Sequence, residues 1–132
     1  MSKPLELHPD RLFPIDTNTR AIARTLYNSI ANLPIVSPHG HTDPAWFADN
    51  TPFANAAELL IIPDHYVLRM LYSQGISLES LGVSKLNEPS KANPREVWRL
   101  FAKHYYLFRA TPSRTWLDWV FAESFGLKLA LD

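Results

Sequence analysis

Two histidines with one residue between them stand at 39 and 41, in "VSPHGHTDP" (36–44). On an extended backbone, side chains at i and i+2 point to one face. His39 and His41 would then project together, with Gly40 facing away. Two imidazoles so placed can chelate one divalent ion at nitrogen–metal distances of about 2.0–2.1 Å. They supply two of the four or more ligands that zinc requires, and a catalytic site keeps one further position open for water or substrate. The plainer alternative is a pair of loop histidines at a turn.

A second set lies in "DHYVLR" (64–69). On a helix, His65 and Arg69 are neighbours, as are Tyr66 and Arg69. An imidazole, a phenol and a guanidinium on one side of a helix suit an oxygen-rich anion. Arginine binds a carboxylate through two parallel hydrogen bonds, while tyrosine and histidine bond hydroxyls. The competing reading is an exposed helix face with an Asp64–Arg69 pair. Tyr105, Tyr106, Trp116 and Trp119 could stack on a sugar, although aromatics at this helical spacing are more often core. His8 reads as solvated and His104 as a histidine at the edge of a core.

The elements that must position these residues follow from periodicity and punctuation. Residues 1–15 read as an extended arm. Asp16 or Thr17 caps a helix whose apolar row is Ile22, Leu26, Ile30 and Leu33. Pro34 stops it, and "PIVSPHGH" (34–41) reads as a short strand running into a loop. Asp43-Pro44 opens a short helix to about Asp49, and Asn55-Ala-Ala-Glu58 has capping-box form. A helix runs from Pro63 to a stop at Gly75. Residues 84–92 form a polar linker. Asn93-Pro94-Arg95-Glu96 begins a helix carrying Val97, Leu100, Phe101, His104 and Phe108. A last helix carries Trp116, Trp119, Val120 and Glu123 and ends at Gly126.

Composition narrows the function classes. Lys plus Arg and Asp plus Glu are 13 each, so the 132-residue chain has no net charge and no electrostatic footprint for nucleic acid or an anionic membrane. With 46% hydrophobic residues it is globular in composition. It has no cysteine, so any metal must be held by nitrogen and oxygen. Neither a signal-peptide pattern nor a run of about 18 apolar residues is present, and a soluble cytoplasmic protein is the expectation. One strand among five or six helices cannot satisfy its own edges, which suggests a piece of something larger.

The segments "LPIVSPHGHTDP", "FANAAELLIIPDHYVLRMLYSQGI", "NPREVWRLFAKHYYLF" and "TWLDWVFAESFGL", in this order, resemble the N-terminal part of the uronate isomerase (glucuronate isomerase) family of the amidohydrolase superfamily. The resemblance runs from about residue 15 to about residue 127. It implies a distorted (β/α)8 barrel of the metal-dependent-hydrolase type with a helical insertion after strand one. In barrels of this kind, functional residues gather at the C-terminal ends of strands. The chain itself would be mostly α: residues 1–42 the arm, first helix and first barrel strand, 43–127 the helical insertion, and 128–132 a tail leading toward the rest of the barrel.

The resemblance also implies interconversion of D-glucuronate with D-fructuronate, or D-galacturonate with D-tagaturonate, by proton transfer between C2 and C1 through an enediol. His39 and His41 would be metal ligands, with zinc the expected ion, and His65, Tyr66 and Arg69 would bind the sugar. No nicotinamide is needed, because the reaction has no net redox change. Where the family usually has an aspartate two residues before the first histidine, this chain has Ser37, and Gly40 and Thr42 replace the usual cysteine and leucine. A complete barrel needs roughly 200–250 residues, so an N-terminal fragment, inactive alone and prone to form homo-oligomers, is expected. The alternatives are a metal-dependent hydrolase of the same superfamily and a non-catalytic helical binding module.

Overall fold

The computed structural model describes residues 3–37, 39–40 and 42–131. The chain divides into two compact units, Glu6–Gly40 and Met1–Leu5 with His41–Asp132.

In the first unit, helix α1 spans Thr17–Ile30, with Asp16 as its N-cap. The Asp16 carboxylate accepts from the Thr19 amide at 2.8 Å and from its hydroxyl at 2.7 Å. These bonds hold the carboxyl below its ordinary value, since they favour the charged form. The preceding arm folds back on α1. Arg24 Nε donates to Asp10 at 2.7 Å, Arg20 adds an ion pair at 3.7 Å, and the Arg24 guanidinium lies 4.6 Å from the centre of the Phe13 ring. Phe13 in turn meets Tyr27 edge to face at 5.9 Å. No residue of α1 is buried, so polar and cation–π contacts, not a core, hold the arm.

The second unit contains the core. It holds helices α2 (Ala45–Asp49), α3 (Ala56–Leu60), α4 (His65–Tyr72), α5 (Pro94–Lys103) and α6 (Pro112–Trp119), with a 3-10 turn at Tyr105–Phe108 between α5 and α6 and a π-helical turn at Val120–Ser124 continuing α6. Asn55, Asn93 and Thr111 cap α3, α5 and α6 through their side chains. α3 packs on α5, and α4 on the 3-10 turn. Between them Ile61, Val67, Leu71, Leu81, Val97, Phe101, Tyr105, Phe108, Leu117 and Phe121 are fully enclosed. The Phe101 ring lies 5.2 Å from Tyr105 and 5.7 Å from Phe108, in tilted arrangements that aromatic pairs favour. Tyr105 keeps its hydroxyl satisfied by donating to Asp118 at 2.9 Å, and Arg114 Nε donates to the same carboxylate at 2.9 Å. Gly82 adopts φ +87°, and a Cβ there would lie 2.8 Å from Ile62 Cδ1. Residues 3–5 belong with this unit: the Leu5 amide donates to Lys128 O and the Ala130 amide to Lys3 O, both at 2.9 Å.

The expected strand at 34–41 is not found. Among the described residues there is no strand, only isolated bridges at Pro4–Leu129 and Lys85–Glu88. Residues 34–37 and 39–40 lack regular structure. Strand formation needs a neighbour to accept and donate ladder hydrogen bonds, and β-branched residues without one stay irregular. Two helix bounds also shift. The helix expected to start on Pro63 begins at His65, because Asp64 makes the capping bonds. At α2 the Asp43 carboxylate accepts from the Ala45 amide at 2.9 Å, the bond expected of an N-cap before Pro44. The helix expected to run through Phe108 ends at Lys103, where His104 turns its ring back and its Nδ1 lies 2.8 Å from Leu100 O.

Candidate functional site on helix α4

Helix α4 owes its start to Asp64, whose Oδ1 accepts from the amides of Tyr66 at 2.8 Å and Val67 at 3.3 Å. This occupies the carboxylate that could have paired with Arg69. The helix then divides by face: Val67 and Leu71 are enclosed in the core, while His65, Tyr66 and Arg69 are exposed on the opposite side. The three polar side chains are brought together. The imidazole of His65 and the ring of Tyr66 are 4.3 Å apart between centroids, tilted by 33°. The Arg69 guanidinium lies 5.2 Å from the Tyr66 ring centre, a cation–π distance. An imidazole, a phenol and a guanidinium thus share one patch at the solvent-facing start of a helix.

Two hollows flank this patch within the same unit. One, of about 400 Å³, is lined by Thr42, Trp46, Leu60, Pro63, Asp64 and Trp116 among others. The other, of about 610 Å³, is lined by Tyr66, Met70, Phe108, Thr111, Ser113 and Trp116 among others. Trp116 is common to both and half-exposed. The helical spacing that made Trp116 look like core therefore misleads at this position, because α6 turns Leu117 inward instead.

His39 lies in the other unit and is exposed. Its carbonyl accepts from Ser37 Oγ at 2.5 Å, a bond that braces the loop backbone. His41, and with it the spacing of the two rings, lies outside the described residues. Among the described residues no three histidine or carboxylate side chains gather as a metal cage. Two imidazoles would fill half of a four-ligand shell, so these residues do not complete a metal site. No helix among the described residues is long and apolar enough to cross a membrane.

Comparison with known proteins assigns the fold. A family profile described as glucuronate isomerase matches residues 14–132. The chain is 66% identical over 131 residues to a uronate isomerase of Sphingopyxis alaskensis, covering 99% of this chain and 27% of that protein. It is 61% identical over 132 residues to a uronate isomerase of Xanthomonas euvesicatoria pv. vesicatoria, covering 99% of this chain and 28% of that one. The crystal structure of glucuronate isomerase from Caulobacter crescentus superposes with a TM-score of 0.91 at 55% identity, over 98% of this chain and 27% of that chain. The chain spans little more than a quarter of the length of these relatives. Neither a hydrolase nor a free-standing binding module is favoured by these matches. From its sequence and from its fold alike, the chain belongs to the glucuronate isomerase family.

Proposed function

We propose that this chain is part of a uronate isomerase that interconverts D-glucuronate with D-fructuronate, and D-galacturonate with D-tagaturonate. The proton leaves C2 and returns to C1 through an enediol, with no net redox change. The observation that carries this reading is the grouping of His65, Tyr66 and Arg69 on the exposed face of α4, in a chain of this family. Arg69 offers two parallel donors to the sugar carboxylate, and Tyr66 and His65 hydrogen-bond its hydroxyls. His39 and His41 are two nitrogen ligands for a divalent ion, zinc being the natural choice for such donors. The remaining ligands and the catalytic base come from the length of the relatives that this chain does not match.

In this reading residues 1–42 lead into the barrel, 43–127 form the helical insertion and 128–132 lead back toward the barrel. The whole enzyme is a cytoplasmic homo-oligomer with no nucleic-acid or membrane partner. The test is a graft in which this chain replaces the matching segment of the Caulobacter crescentus enzyme. The graft is expected to isomerise D-glucuronate and the isolated chain to show no turnover, since proton abstraction needs a base held within about 2.6–3.2 Å. An inactive but folded graft, or an active isolated chain, refutes the reading.

A further inference from the structure

Trp116 sits where it adds little to the core. Its successor Leu117 is fully enclosed, while the Trp116 side chain is 49% exposed and lines both hollows beside α4. Helix α6 is fixed on either side of it. Arg114 Nε donates to Asp118 at 2.9 Å, its guanidinium lies 4.0 Å from the Tyr105 ring centre, and the Tyr105 hydroxyl donates to the same Asp118. Single exposed aromatic side chains are ordinary, but this one has company. Tyr66, Met70, Phe108 and Pro112 share with it the wall of the larger hollow, about 610 Å³, which Ser113 also borders. Apolar walls, a few polar groups and a volume of roughly 300–1,000 Å³ are the features of a small-molecule site.

Charge selects the occupant. The smaller hollow is bordered by the Asp64 carboxylate, which repels an anion. The larger is bordered by Tyr66, whose ring centre lies 5.2 Å from the Arg69 guanidinium, a cation that attracts one. A ligand suited to the larger hollow is anionic at one end and offers an apolar face to the indole along the rest. A uronate is built that way. Its carboxylate meets the cation, its hydroxyls meet those of Tyr66 and Ser113, and the C–H face of its carbon chain meets an aromatic ring. The Thr111 hydroxyl has no proton to spare, since it donates to Phe108 O at 2.6 Å while accepting from the Arg114 amide at 3.2 Å. Trp119 is a natural control: it is 45% exposed on the same helix, yet it is not among the residues lining either hollow.

We infer that Trp116 is a substrate-binding residue whose indole forms the apolar floor under the carbon chain of the uronate, in the hollow beside Tyr66. This rests on the proposed function for the identity of the sugar and goes beyond it in assigning Trp116. In the graft described above, Trp116→Leu keeps apolar bulk and helix propensity but removes the aromatic face. It is expected to raise KM for D-glucuronate about 5- to 10-fold with kcat within about twofold, since an interaction made equally in ground and transition states acts on KM alone. Trp116→Phe is expected to return KM to within about twofold of the graft's value, and Trp119→Leu to leave it unchanged. An unchanged KM in Trp116→Leu, or an equal rise in Trp119→Leu, overturns the inference. So does a lower melting temperature without a change in KM, the result expected if polypeptide rather than sugar fills the hollow. Should the graft not fold, the aligned residues of the Caulobacter enzyme carry the same test. Calorimetric titration with D-glucuronate separates this inference from the isomerase reading. Binding that weakens in Trp116→Leu but not in Trp119→Leu, in a folded graft without turnover, supports the role of Trp116 and refutes the isomerase reading. Turnover indifferent to Trp116 refutes the role of Trp116 alone, and a folded graft with neither binding nor turnover refutes both.

Discussion

The guanidinium of Arg69 sits 5.2 Å from the centre of the Tyr66 ring, one turn along the same helix. The phenol is thereby held beside the cation, and the pair can meet a carboxylate and its neighbouring hydroxyl together. Replacing Arg69 with lysine removes the planar fork and the stacking while keeping the charge. In the graft, Arg69→Lys is expected to lower kcat/KM for D-glucuronate about 10- to 100-fold, a loss of about 1.4–2.8 kcal/mol. Far-UV circular dichroism should be unchanged, because Arg69 is exposed. Tyr66→Phe keeps the ring but not the hydroxyl, so a loss of turnover with intact packing would assign the hydroxyl a direct role.

Asp64 starts α4 by accepting from two amides. Asp64→Ala should cost about 1 kcal/mol, or about 3–5 °C in melting temperature for a chain of this size. Asp64→Asn should recover most of it, since asparagine caps about as well. Thermal denaturation of the isolated chain measures both.

Phe101 anchors the aromatic centre of the core, in contact with Tyr105 and Phe108. Phe101→Ala is expected to destabilise by about 3–5 kcal/mol through lost burial and a residual cavity. Gly82→Ala should cost about 1–3 kcal/mol for a different reason, the positive φ together with the crowding against Ile62. Urea midpoints at unchanged slope would confirm both as losses of stability alone.

Hydrogen bonding from Arg24 holds the Asp10 carboxyl below its ordinary value of 3.8, with the charges of Arg24 and Arg20 acting in the same direction. A depressed carboxyl contributes stability that is present above the unfolded value and is lost as pH falls through the folded one. The contact between arm and α1 should therefore be unaffected from neutral pH to about 4 and release only below that. The Arg24 Nε resonance, followed by NMR titration, checks this. Asp10→Asn should remove the acid transition at neutral cost to the core, which Asp10 does not touch.

Much of the local architecture was legible in the residues. Asp16, Asn55 and Asn93 each make the capping bond that their position announces, and Gly75 and Gly126 take positive φ where the helices were expected to stop. The grouping of His65, Tyr66 and Arg69 was legible too, because neighbours on a helix are set by rise and turn alone. Less was legible where one periodicity serves two outcomes. Trp98 packs against Phe101 and Phe121 in the core region, while Trp116 faces open hollows, although both lie on helices with apolar spacing.

The sequence by itself determined which segments are helical and where most of their caps lie, which side chains share a helix face and which family the chain resembles. All of these depend on contacts a few residues apart or on the order of motifs. Only the tertiary structure decided that the apolar row of α1 is uncovered, that residues 34–37 make no ladder and that Leu117 rather than Trp116 turns inward. Those outcomes depend on which distant surface is present to exclude water or to complete a hydrogen bond, and no local pattern encodes that surface.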